Sequence, residues 1–405
     1  MSNKLFQKEE ANYRALYGKL FSGLLGQFGA HYVSEIEDAI QNSFLKSLKI
    51  WKQKSIPYNE ENWLFIVARN DLLDQIKNKQ KQNYSVSFEL FEENQITDNG
   101  KDLRLQTIIF IASLSTIAPQ AKVIFILKNI FGLNIAEIHG STFLNQEAIY
   151  KSINRTKKNI QQEFNLNSVE IQSISANPNT VKTVEEILYS VFNIGFDSFI
   201  EKKEGIVNED LCLEAFSLAR VLFNQYQFDS TSNLLALFCF HSARIPSKID
   251  SGKLIPFFKQ NREKWNSELY QLGFNYLKKP ETVNKFYIEA VIISKYMSKP
   301  IFILNDWNEI VELYEIMQRV SSSPIIKLNY CFCLSKIGKT EQALVILSEI
   351  KKELPNEHTY FNLVKAKLLK EVNPAESDRL FTLIMNNSSQ KIRREYLLEN
   401  ELIHI

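Results

Sequence analysis

Between Ala39 and Asn59 the chain carries four lysines, Lys46, Lys49, Lys52 and Lys54, and no acid. Trp51 and Tyr58 lie among them, and Trp63, Arg69, Asn70 and Lys77 follow. Cations in such a run can track phosphates, and aromatic faces can accept unstacked bases. The same charges also suit a solvated helical face. Bond-making chemistry has no comparable foothold. The sequence has no phosphate loop, no dinucleotide glycine fingerprint, no Gly-x-Ser-x-Gly and no His-Glu-x-x-His. The five histidines show no ligand spacing, and four cysteines in 405 residues are too few for a disulfide framework. No catalytic residue, metal or cofactor is expected, and the chain does not read as an enzyme.

The elements that must position these residues read as helices throughout. Glycine (12) and proline (10) are scarce, which leaves few tight turns and favours an all-α chain. Tyr13, Leu16, Tyr17, Leu20 and Leu24 recur at helical spacing over residues 5–27. Ser34 with Glu37 reads as a capping box for a second helix, whose apolar stripe is Ile36, Ile40, Phe44, Leu48 and Trp51. After Pro57, Asn59 can cap a third helix with an inner face of Trp63, Ile66, Val67, Asn70 and Leu73. This first module covers 1–82, and an acidic linker is expected over 83–106.

A second module, 107–165, starts a helix at Pro119, ends it at Gly132 and adds a short helix over Asn134–His139. A turn over Gly140–Leu144 then leads to a basic helix capped by Asn145, with the layout of a helix-turn-helix. Residues 166–180 read as a second linker, and 181–405 as a helical domain. Near its end a period of 33–34 links Asn329 with Asn362, Thr340 with Pro374, and Ala343 with Ser377, the spacing of tetratricopeptide repeats. Cys331 and Cys333 read as small core residues. The N-terminus is polar, and no apolar run approaches the roughly 18 residues of a spanning helix, so a cytoplasmic protein without a membrane segment is expected.

Several motifs then fall into an order. Asp38-Ala39-Ile40-Gln41-Asn42-Ser43-Phe44 is followed by Trp63, Ala68-Arg69-Asn70 and Asp74, and later by Gly132-Leu133 with Ala136-Glu137-Ile138. Together they resemble an RNA polymerase sigma factor of the extracytoplasmic-function type. The resemblance implies a sigma region 2 domain, a winged-helix-like region 4 domain and no chemistry of its own. It implies core RNA polymerase and promoter DNA as partners. Asp38, Gln41 and Phe44 would meet the polymerase, with Asn42 standing where a glutamate is usual. Lys46, Lys49, Lys52, Lys54, Tyr58, Trp63, Arg69, Asn70 and Lys77 would hold the −10 element. Core packing is the plainer reading of Trp63. Asn145, Gln146, Tyr150, Lys151, Asn154, Arg155, Lys157 and Lys158 would face the −35 element, with base contacts first and phosphate contacts later.

The C-terminal part resembles a subgroup with a long tetratricopeptide-like extension. The carriers are Phe192-Asn193-Ile194-Gly195-Phe196, Gln260-Asn261-Arg262-Glu263-Lys264-Trp265, Asp306-Trp307 with Leu313-Tyr314, and Ser323-Pro324 with Leu328-Asn329. Arg262, Trp265, Asp306 and Trp307 are expected near the centre of a surface for the sigma modules or a protein partner, or else in internal packing. Departures from the subgroup include Ala112-Ser113-Leu114-Ser115, Ser152, Ile194 and Asn261. Rival readings are a helical scaffold with vestigial sigma modules and an ordinary helix-turn-helix regulator.

Overall fold

A computed structural model describes residues 2–51, 56–82, 102–142, 144–166, 171–197, 206–354, 358–388 and 390–402. Among them the chain is helical almost throughout, apart from one hairpin of two-residue strands in its second half. It divides into two units, Met1–Val191 and Phe192–Ile405. No helix is long and apolar enough to cross a membrane.

In the first unit, α1 (Ser2–Phe28) buries Leu16, Tyr17, Leu20 and Leu24 together with Phe21 and Leu25. The second helix, α2 (Val33–Ile50), buries Ile36, Ala39, Ile40 and Ser43. The capping box expected at Ser34 is not formed. The helix begins two residues earlier, with Tyr32 at the N-cap position and no side-chain cap, and Glu37 turns inward to an ion pair with Lys157. The expected stripe also ends early, because Leu48 is 61% exposed. Asn59 does cap α3 (Glu60–Gln82), its Oδ1 accepting from the Asn62 amide at 2.9 Å.

The buried face of α3 differs from the expected one. Leu64, Ala68, Leu72 and Ile76 are buried, whereas Ile66 and Asn70 are exposed and Trp63 is half-buried. The true stripe is offset by one residue, ~100° of helix. Its four members keep strict i, i+4 spacing, and small Ala68 lets α3 lie close to α2.

The acidic linker falls on residues 83–101, outside the described residues, and it ends sooner than expected. Helix α4 (Arg104–Ser113) begins with Arg104 held by Asp102 and is buried along most of its length. Next come α5 (Pro119–Asn129), α6 (Ile135–Ser141) and α7 (Gln146–Leu166). Gly132, between α5 and α6, has φ +63°, and a side chain there would crowd the Arg14 backbone. Asn134 and Glu137 cap α6 reciprocally, and Asn145 caps α7. No strand, and so no wing, occurs among the described residues of this unit. The described part of the second expected linker, from residue 171 on, is packed. Gln106 donates to the carbonyls of Ile171 and Ile174 at 2.9 and 2.7 Å, and α8 (Pro178–Phe196) starts at Pro178. The division between units falls inside α8, not at 181.

The helices of 1–82 and 104–166 share one core. Phe21 meets Phe125 edge-on at 6.1 Å, Arg14 pairs with buried Glu137, and Glu37 pairs with Lys157. At Gly18 an added Cβ would overlap the Ile130 carbonyl oxygen.

In the second unit, α9 (Glu209–Tyr226) and α10 (Asp229–Ala243) lead to a one-turn helix α11 (Ile245–Lys248). The hairpin β1 (Ile249–Asp250) and β2 (Lys253–Leu254) pairs antiparallel, and α12 (Ser267–Tyr276) follows. Helix α10 is apolar and buried continuously from Leu234 to Phe240, as a central helix must be. Helices α13 (Lys285–Ser298), α14 (Leu304–Val320), α15 (Pro324–Lys336), α16 (Thr340–Ile350), α17 (Thr359–Leu369), α18 (Pro374–Asn387) and α19 (Lys391–Leu397) complete the unit. Thr340 and Pro374 both open helices, and Ala343 and Ser377 are both buried, so the 33–34 period marks equivalent places in successive helix pairs. Cys331 and Cys333 are buried, and burial pushes both thiols up to about 12.

Arg262, Trp265, Asp306 and Trp307 are used internally. Arg262 donates to the carbonyls of Tyr296, Met297 and Lys299 at the end of α13, and Trp265 Nε1 donates to Ser247 Oγ at 2.7 Å. Asp306 accepts from the Ile303 amide at 3.0 Å and pairs with Lys299, while Trp307 packs among Phe258, Tyr296, Phe302 and Phe332.

Because backbone stands against it, Gly18→Ala is expected to cost the first unit about 1–3 kcal/mol or more, the usual scale of overpacking. Urea unfolding followed by far-ultraviolet circular dichroism would show a lowered midpoint. An unchanged midpoint would mean that α1 does not approach Ile130 this closely.

Candidate nucleic-acid interface

An open polar groove runs between α2 and α3. It is lined by Asp38, Gln41, Asn42 and Leu45 from α2 and by Asp71, Asp74, Gln75 and Asn78 from α3. Asp38 and Gln41 are exposed. Phe44 is half-buried, its ring 4.2 Å from that of Tyr13, so it supports α1 as well as facing outward.

Asp71 holds the groove together. Its carboxylate accepts from Asn42 Nδ2 and Gln75 Nε2 at 2.9 Å each and from Lys46 Nζ at 3.2 Å. Burial pushes this carboxyl up, but those three donors outweigh it and hold the group below the usual carboxylate range. A glutamate in place of Asn42 would set one carboxylate against another. Sequence reasoning missed Asp71. The available signal was two i, i+4 polar pairs on α3, Asp71 with Gln75 and Asp74 with Asn78, which mark a polar strip beside α2.

Beyond the groove the structure gathers part of the expected −10 set. Lys46 and Lys49 are exposed; the Lys46–Asp71 pair is solvent-facing and therefore weak enough to yield. Lys52 and Lys54 lie outside the described residues. Tyr58 is fully exposed in the connection to α3. Trp51 and Trp63 are both half-buried and face each other at 5.4 Å, so Trp63 neither fills the core nor stands free. Arg69 is half-buried, and Asn70 and Lys77 are exposed along α3. Leu45, Leu48, Ile50, Ile56 and Ile66 add exposed apolar surface here.

On α7, Ile149, Ile153, Thr156 and Ile160 point inward. Gln146, Tyr150, Lys151, Asn154, Arg155 and Lys158 remain exposed and form a continuous outer face. Asn145 is exposed, but its Oδ1 is engaged by the Ala148 amide at 2.8 Å, and Lys151 pairs with Glu147 at 2.5 Å. Lys157 does not belong to this face. It turns inward to Glu37, whose carboxyl is pushed up by burial against the pull of that lysine. A buried carboxylate outbid solvent and phosphate for this one cation.

Comparison with known proteins adds the following. A model described as a family of unknown function, DUF6596, matches residues 180–281. An uncharacterized protein of Rhizobium meliloti (strain 1021) is 24% identical over 373 residues, which cover 87% of this chain and 86% of that protein. No solved structure matches the chain significantly.

Lys157→Met is expected to destabilise the first unit by about 3–5 kcal/mol at neutral pH, because it strands Glu37 as a buried charge. The loss should shrink at mildly acidic pH, because burial raises the Glu37 carboxyl and, without Lys157 to oppose this, Glu37 takes up a proton more readily. Lys158→Met should stay within about 0.5 kcal/mol of the parent at both pH values. Equal losses for the two variants in chemical denaturation would remove the distinction drawn between them.

Proposed function

We propose that this chain is a sigma factor, which binds core RNA polymerase, directs it to promoters and opens the DNA without bond-making chemistry. The observation that carries the reading is the outer face of α7. Behind a short capped helix and a turn, it leaves Gln146, Tyr150, Lys151, Asn154, Arg155 and Lys158 together in solvent. Such a face suits a major groove, with amides and a phenol toward base edges and cations toward phosphates. The groove between α2 and α3 supports the same reading. Asp38 and Gln41 stand free on its rim to meet a protein surface, while Tyr58, Lys46 and Lys49 lie nearby for an unpaired strand. A cytoplasmic location follows from this role.

A second reading is a protein-interaction scaffold. It draws on the stacked helix pairs α15–α16 and α17–α18, and treats the N-terminal modules as vestigial.

The two readings separate in one experiment with the full chain. On the sigma reading, purified bacterial core polymerase captures the chain, and Asp38→Ala with Gln41→Ala weakens capture about tenfold or more. Phe44 is left intact because it packs on Tyr13. The holoenzyme formed should select a promoter sequence from a random DNA pool, and Arg155→Ala with Lys158→Ala should reduce the log–log salt slope of binding by ~2. Failure of the chain to bind core polymerase, or unaltered capture of the folded double variant, would sink the sigma reading.

A further inference from the structure

We propose that the second unit holds a binding site for a small oxyanion, a phosphate or a carboxylate, built on Arg244 and Lys248 beside Phe196. Its residues belong to the second unit, whereas α2, α3 and α7 belong to the first, and the proposal does not depend on the sigma reading. Its basis is an excess of cations over carboxylates among the described residues around Asp197. Lys248 is buried, donating to the Phe196 carbonyl and lying 3.2 Å from Asp197. The Asp197 carboxylate also accepts from Arg393 at 2.8 Å, so it is already shared between two cations. Arg244 sits close by, with no carboxylate in hydrogen-bonding contact among the described residues. Its Nε is a buried donor without a partner, and its Nη1 reaches only the Gln260 amide oxygen at a long 3.5 Å.

The geometry narrows the ligand. The Arg244 guanidinium carbon lies 4.7 Å over the Phe196 ring and 4.9 Å over the Phe257 ring. Ring contacts occupy the faces of a guanidinium and leave its N–H edge for recognition in the plane. A two-oxygen edge of phosphate or carboxylate matches that fork. Lys248 supplies a second charge, its Nζ 4.0 Å from the same Phe196 ring centre. His241, 4.8 Å from Phe196, has an unpartnered buried Nδ1, a further polar atom on this centre. Arg244 keeps partial exposure as a residue, although its Nε is buried. The electrostatics agree: burial pulls Arg244 down to about 10, and burial together with Arg244 and Arg393 pulls Lys248 down to about 8, each against the opposing pull of Asp197. Buried cations in this state are stabilised by an anion that enters with its own charge.

Ser247 and Trp265 frame the position rather than bind. Trp265 Nε1 donates to Ser247 Oγ at 2.7 Å, and Ser247 Oγ lies 3.4 Å from the Gln260 amide oxygen, which fixes the carbonyl that Arg244 approaches.

The test is calorimetric titration of the full chain with inorganic phosphate and, separately, with acetate, at constant ionic strength set by sodium chloride. A saturable heat with phosphate and little with acetate identifies a phosphate site; the reverse identifies a carboxylate site. Arg244→Lys keeps the charge but loses the fork, and should weaken the preferred anion about tenfold or more. Lys248→Met should weaken it similarly, and Lys279→Gln, an exposed cation elsewhere on the unit, should leave it unchanged. If a variant fails to fold by circular dichroism, the parent protein labelled with nitrogen-15 arginine decides instead. The Arg244 Nε–H resonance should move on phosphate or acetate addition and stay fixed with chloride. No saturable heat with either anion, or equal affinity in the parent and both site variants, would overturn the proposal.

Discussion

A buried carboxylate must find a cation or take up a proton, and that constraint fixes the first unit at neutral pH. Glu137 and Glu37 are both nearly inaccessible to water. Their partners, Arg14 and Lys157, lie 123 and 120 residues away along the chain. Each pair forms only if α1 and α2 meet the segment from α5 to α7 in one arrangement. Apolar packing would tolerate several helix placements of similar area; two buried ion pairs tolerate far fewer. The close approach at Gly18 and the left-handed turn at Gly132 are consequences, since both let α1 lie against the end of α5. Glu137 also caps α6 through the Asn134 amide, so one side chain sets both a helix start and a tertiary contact.

The second unit handles buried polarity differently. Arg262 satisfies the carbonyl end of α13, Asp306 satisfies the amide start of α14, and Trp265 and Ser247 share a hydrogen bond near the Gln260 amide. Each of these contacts closes a helix end or a turn that apolar packing alone leaves unsatisfied. Around Arg244 and Lys248 this closure is incomplete, and the contrast with the satisfied network beside it singles that place out.

Much of the helical framework was legible in the sequence because its punctuation is local. Asn59, Asn145, Pro119 and Gly132 act at the positions their side chains or backbone freedom suggest. What failed was decided by tertiary partners. Ser34 and Glu37 have capping-box spacing, yet Glu37 is drawn to Lys157, a choice that no window of α2 reveals. On α3 the bulk of Trp63 and Ile66 suggested the inner face, but a stripe with Ala68 at its centre packs closer, and the larger residues were left at the rim. The outer face of α7 was legible except for Lys157, because neighbouring lysines look alike until one of them meets a buried acid. In the groove, Asp38 and Gln41 could be read from type and order, whereas Asp71 gains its place only when α2 and α3 pack together.

The inward turn of Lys157 also bears on how the proposed promoter reader would work. It leaves Lys151, Arg155 and Lys158 as the cations on the outer face of α7, and Glu147 already engages Lys151. Each phosphate contact contributes ~0.9 to the salt slope of duplex binding, so so few cations give weak, salt-sensitive attachment. On the sigma reading, a face of this kind becomes useful when a larger partner holds it beside DNA, where effective concentration replaces intrinsic affinity. On that reading Asp38 and Gln41, on the groove rim of the same folded unit, would offer the surface for such a partner. Lys157, drawn inward to Glu37, then serves the packing of that unit rather than the outer face of α7.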